Sequence, residues 1–117
     1  MNLRWINVKW GNRGPDYLLT VENIRKFDTE CARWLAEESP LIGVGVETVG
    51  IDAGAAGGFD PPFPVHYYVL GAGKYGVTQL ANLGSLPPTG ALLVVAPLKL
   101  TGGTGSPIRV FAIVQSE

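Results

Sequence analysis

The sequence predicts an α/β or α+β fold, a single layer of sheet with helices packed against it. Residues 41–51 (L-I-G-V-G-V-E-T-V-G-I) are rich in β-branched side chains and free of proline, the composition of a buried strand. Residues 29–38, just before them, place apolar and charged side chains at helical spacing. Residues 91–98 and 108–114 are apolar runs joined by a glycine-rich stretch, as two strands of a hairpin would be.

Taken in order, residues 1–10 read M-N-L-R-W-I-N-V-K-W. Leu3, Trp5 or Ile6, Val8 and Trp10 alternate with Arg4, Asn7 and Lys9, which predicts a strand with one buried face. Residues 11–16 (G-N-R-G-P-D) are turn chemistry, and residues 17–27 read equally as an extended segment or a short helix. Asp28 is placed as a helix N-cap, with Glu30 adding a favourable charge in the first turn. The helix over 29–38 then turns Cys31, Ala32, Trp34 and Leu35 inward, leaves Arg33, Glu37 and Glu38 in solvent, and ends at Pro40.

A strand is expected over 42–46, with Glu47 and Asp52 beyond its C-terminal end, the edge at which α/β sheets bind ligands. Turn and cap roles explain those two carboxylates more simply. A loop over 53–62 (A-G-A-A-G-G-F-D-P-P) delivers the chain to F-P-V-H-Y-Y-V-L-G-A-G at 63–73. Pro64 suits a first helical turn, Val65, Val69 and Leu70 fall at helical spacing, and Gly71 and Gly73 stop the turn. This predicts a short buried helix carrying His66, the only histidine in the chain. Residues 75–77 read as a short strand and 80–86 as a turn or single helical turn closed by Pro87 and Pro88. Pro97 marks the end or an edge of the strand over 91–98, and 108–114 is the last strand.

At 117 residues the chain is expected to be one domain over 1–117, able to bury a core without disulfide or metal. A hydrophobic content of 46% and a mean hydropathy of +0.19 exclude a disordered chain. A net charge of −1 with scattered lysines and arginines gives no footprint for nucleic acid. The longest apolar run, residues 91–98, is short for a membrane span, and residues 1–9 lack the apolar core of a secretory signal. Cys31 is the single cysteine, so a reducing, cytoplasmic location is expected, with no nucleic-acid or membrane partner.

The chemistry legible in the residues is sparse. Gly102, Gly103, Thr104 and Gly105 lie in a loop whose backbone N–H groups can cradle an anion. A wide hairpin turn needing positive φ explains them more simply, since no helix follows and no lysine stands at P-loop spacing. Nucleophilic catalysis is disfavoured, because there is no G-x-S-x-G elbow and Cys31 falls on the core face of its helix. A metal site needs at least three ligands. One histidine and one cysteine, with no H-x-x-x-H or C-x-x-C pattern, leave only carboxylates to complete it. On local grounds His66 reads as a hydrogen-bonded core residue before it reads as a ligand.

In order and spacing, the pieces W-L-A-E-E, V-G-V-E-T-V-G-I-D, F-P-V-H-Y-Y-V-L-G-A-G, L-A-N-L-G-S-L-P and A-P-L-K-L-T-G-G-T-G-S-P-I-R-V-F-A resemble one family. It is the cyclase family of metal-dependent hydrolases, which includes bacterial kynurenine formamidase and isatin hydrolase. The resemblance spans residues 33–114, and more weakly the N-terminal segment with Trp5 or Trp10. It implies a swivelling β/β/α-like domain, here in a truncated version, and hydrolysis of amide or lactam bonds with zinc or manganese. The family's metal ligands come chiefly from an N-terminal H-x-G-T-H-x-D motif, which does not occur in this sequence. Its histidine in F-P-V-H is matched by His66. Its glutamate just before N-L is matched by Thr78, which cannot replace a carboxylate as base or strong metal ligand.

The expectation is therefore a truncated cyclase-family protein without hydrolase activity of its own. It would need no cofactor, would keep His66 as a catalytic relic, and would act as a self-associating binding module. A homodimer, or a longer cyclase-family chain, would be its partner, covering the aromatic residues that the other half of the family domain covers. The alternative is an arylformamidase-like hydrolase using zinc or manganese at a rebuilt or partner-shared site, with His66 joined by Glu47, Asp52 or Asp60. A third reading is that the natural protein extends beyond Met1.

Overall fold

The computed structural model describes residues 5–8 and 27–115. The turn expected at 11–16 and the ambiguous segment at 17–26 lie outside the described residues. The chain divides into two compact units, one ending at Leu83 and the other beginning at Gly84.

The first unit is a three-stranded parallel sheet with helices. It runs β1 (Trp5–Val8), α1 (Thr29–Glu37), β2 (Gly43–Val46), a π-helix (Val65–Leu70) and β3 (Tyr75–Val77). The strand order is β1-β2-β3, with Val44 of β2 opposite Ile6 on one side and Gly76 on the other. A central parallel strand is covered on both faces, and every residue of β2 is buried. Gly43 of G-V-G-V allows close packing. A Cβ placed on Gly43 would come within 2.9 Å of the Tyr75 carbonyl oxygen and 3.0 Å of its ring.

The core gathers Ala32, Leu35 and Ala36 from α1, Val44 and Val46 from β2, and Val65 and Val69 from the π-helix, with Leu41 and Ile51. Asp28 caps α1 as expected, its Oδ1 accepting the Cys31 N–H at 2.8 Å. At the other end the last carbonyls find partners from outside the helix. Lys74 donates from Nζ to the Leu35 carbonyl at 2.5 Å and to the Ser39 carbonyl at 2.9 Å. Since Lys74 directly precedes β3, this ammonium ties the C-terminus of α1 to the sheet. Arg33 and Glu37 stay in solvent, 3.6 Å apart.

Two expected core residues are not in the core. Trp34 is 48% exposed, because each α-helical residue turns about 100° and Trp34 points almost opposite the face defined by Ala32, Leu35 and Ala36. Leu70 is likewise exposed, carried off the buried face one residue past Val69.

In the second unit, β4 (Leu92–Pro97) and β5 (Ile108–Ile113) form an antiparallel pair, with Leu92 opposite Ile113 and Pro97 opposite Ile108. The hairpin is as expected. The described strands nevertheless fall into two sheets rather than one layer, because β4 and β5 pair only with each other. Neither strand has a fully buried residue, and Leu92, Leu98, Leu100, Phe111, Ile113 and Val114 are exposed.

Candidate functional site

The site grows out of the C-terminal end of β2. Buried Thr48 donates from Oγ1 to the Gly50 carbonyl at 2.8 Å and so tightens the turn that leads to Asp52. Further on, Pro64 is fully buried and opens the π-helix, whose first N–H groups have no partner within the helix. Asp52 supplies one. Its Oδ1 accepts the Val65 N–H at 2.7 Å and its Oδ2 accepts the His66 N–H at 3.1 Å. The same Oδ2 accepts from the His66 ring at Nδ1.

The two side chains differ sharply in exposure, 5% for Asp52 and 53% for His66. A carboxylate only accepts hydrogen bonds, so a neutral His66 carries its proton on Nδ1 and leaves the Nε2 lone pair free. Held in this tautomer and half out of the fold, Nε2 is available to take a proton, or to ligate, while Asp52 steadies the ring. His66 is thus not the core histidine that the local pattern suggested. Beside it stands Phe63, its ring 6.4 Å from the imidazole and at 80° to it.

The other sequence candidates are placed differently. Glu47 accepts the Leu83 N–H at 2.9 Å through Oε1 and so holds the turn after β3. Asp60 is exposed in the loop, and Thr78 is half-buried immediately after β3. Gly102 to Gly105 lie exposed in the second unit, where Gly102 has φ of 71° and the Gly103 N–H donates to the Leu100 carbonyl at 3.2 Å. That is turn geometry. Burial, and then the Asp28 carboxylate, holds the Cys31 thiol above its ordinary value, which disfavours the thiolate.

Sequence reading offered Asp52 only as one of three carboxylates. It did not single out Asp52 as the partner of His66, because 14 positions separate the two. The available signal was an acid following a buried strand, ahead of a proline-opened turn. Among the described residues, no three His, Cys, Asp or Glu side chains come together to hold a metal ion. Asp52 already serves three donors and Glu47 a backbone N–H, so these residues do not by themselves fit the zinc or manganese that the resemblance implies.

In sequence and in fold the chain resembles cyclase-family, hydrolase-like proteins. The chain is homologous to isatin hydrolases. It is 50% identical over 74 residues, 63% of its length, to the isatin hydrolase of Roseibium aggregatum, of which it matches 28%. Isatin hydrolase A from Labrenzia aggregata, solved with benzyl benzoate, superposes with a TM-score of 0.85 at 45% identity, over 98% of this chain and 47% of that one. An isatin hydrolase bound to the product analogue thioisatinate gives a TM-score of 0.71 at 43% identity, over 75% of this chain and 33% of that one. The chain thus spans half or less of the length of these relatives. No family model matches it. Among the described residues, no helix is long and apolar enough to cross a membrane.

Proposed function

We propose that this chain contributes the histidine arm of a hydrolytic site for aromatic lactams or amides, completed by ligands from a second polypeptide. The observation that carries this is the Asp52–His66 pair, with one buried carboxylate and one outward imidazole nitrogen. In the proposed role, Nε2 takes a proton from the attacking water and returns it to the nitrogen as the C–N bond breaks, yielding an amine and a carboxylic acid that releases its proton to solvent. Asp52 keeps the ring oriented throughout. In this reading the chain supplies one half of the site and depends on a second polypeptide for turnover.

The test is complementation. The purified chain, supplied with zinc or manganese, is expected to leave isatin unopened, as followed by its absorbance. Mixing it with a full-length isatin hydrolase whose own F-P-V-H histidine is replaced by alanine is expected to restore ring opening, and to lose it again with His66→Ala. Metal-dependent turnover by the chain alone would contradict the half-site, and an inert mixture would contradict the shared one.

A second reading, self-association as a homodimer, rests on the second unit. Two-stranded sheets are marginal alone in water, and exposed apolar patches commonly mark interfaces. β4 and β5 expose Leu92, Phe111 and Ile113 together with flanking Leu98, Leu100 and Val114. Sedimentation velocity is expected to give a dimer that Phe111→Asp converts to a monomer; a monomeric starting protein removes this reading. A single cysteine, Cys31, fits the reducing cytoplasmic setting of this reading.

A further inference from the structure

Phe63 sits in a conformation that its own chemistry disfavours. Its φ is 52°, in the left-handed region that a bulky side chain seldom adopts and glycine adopts freely. The surroundings impose it from both sides. The Phe63 N–H donates to the Ala56 carbonyl at 2.9 Å, and the Phe63 carbonyl accepts the Tyr67 N–H at 2.9 Å. The ring gains only half of what burial would give, being 50% exposed. It lies over the backbone of the Ala56–Gly58 turn, so that a Cβ on Gly57 would meet its Cζ at 3.5 Å. Backbone strain at a partly exposed aromatic residue, with a glycine sufficient for the fold, directs attention to what the ring does in place.

The ring stands at 80° to the His66 imidazole, 6.4 Å between centroids, on the same end of the π-helix that Asp52 caps. Edge-to-face and offset-stacked contacts are the arrangements in which aromatic rings attract one another. A planar aromatic lactam beside Phe63 can therefore stack on the phenyl group and lie next to the His66 imidazole. Molecules with aromatic rings are what the solved relatives hold, benzyl benzoate in one and thioisatinate in another.

We propose that Phe63 is the recognition residue of this site, a fixed aromatic wall that selects planar aromatic lactams over aliphatic ones at His66. This deepens the half-site reading and rests on it. The wall is set by backbone hydrogen bonds on both sides of Phe63, so it is in place before ligand arrives. The ligand then orders little of the protein on binding, which favours affinity.

The experiment compares the wild-type chain with Phe63→Gly and Phe63→Leu. His66 ring signals are followed by NMR during titration with isatin, with isatinate, and with the non-aromatic lactam 2-pyrrolidinone, alongside thermal unfolding. Phe63→Gly is expected to remain folded, since glycine suits this backbone, and to bind isatin and isatinate about tenfold more weakly. Binding of 2-pyrrolidinone should be unchanged. Phe63→Leu, which keeps the bulk without the aromatic face, should lose the same preference and decides the matter if the glycine variant unfolds. Equal affinity for the aromatic probes in wild type and variants overturns the role of Phe63 while leaving His66 as the substrate-facing group. No change at the His66 signals with any probe in the wild type overturns the half-site reading itself, and the proposal with it.

Discussion

Asp52→Ala is expected to destabilise the first unit by about 3 kcal/mol, the sum of two main-chain N–H groups each left without an acceptor at about 1–3 kcal/mol. Val65 is fully buried, so water cannot take over from the lost carboxylate there. In thermal unfolding followed by circular dichroism, that loss corresponds to a fall in Tm of about 12 °C at about 4 °C per kcal/mol. Asp52→Asn is the informative companion. Its carbonyl oxygen keeps one acceptor, while its NH2 confronts the remaining donors, so a smaller loss of stability is expected. The effect on His66 should persist in both variants. Without a carboxylate at Nδ1 the proton is free to move to Nε2, and nitrogen NMR of the ring should report a mixture of tautomers where the wild type shows Nδ1–H. A drop in Tm below 3 °C together with an unchanged tautomer would mean that Asp52 does not hold this helix end or this ring.

Leu35→Ala should cost about 3 kcal/mol by urea denaturation, within the range for deleting a buried leucine and leaving its cavity. Leu35 is a fully buried member of the cluster that gathers α1, β2 and the π-helix, and its backbone carbonyl receives both Lys74 and Ser39. Its neighbours are held by two elements, so the space cannot readily collapse. The adjacent residue gives the contrast: Trp34→Ala removes a larger side chain, yet one half in water, and should shift the midpoint by no more than about 0.5 kcal/mol. Equal effects at the two positions would mean that α1 presents a different face to the core.

The elements of this protein were legible because their signals are local. Asp28 as an N-cap, β3 at residues 75–77 and the hairpin around Gly102 each follow from residues within a few positions of one another. Trp34 and Leu70 were misplaced for the opposite reason. Hydrophobicity says that a side chain gains from burial, whereas the rotation of the helix about its axis decides which ones obtain it. The π-helix was legible as a helix but not as a wide one, and its i→i+5 bond from Lys74 N–H to the Val69 carbonyl at 3.1 Å has no counterpart in composition or spacing.

The candidate site divides in the same way. That His66 is the chain's histidine, that carboxylates follow the buried strand, and that the order of motifs resembles that of the cyclase family were all legible in the sequence alone. Which carboxylate meets the histidine was decided only by the tertiary structure. A parallel strand sends the chain out at its C-terminal end, and the buried Pro64 brings it back with its first N–H groups facing that same edge, where Asp52 is the acceptor within reach. Glu47 and Asp60 have the same chemistry and lack the position. The strained Phe63 beside the imidazole was likewise beyond the sequence, since its φ of 52° goes with main-chain hydrogen bonds to the Ala56 carbonyl and from the Tyr67 N–H and not with any preference of phenylalanine.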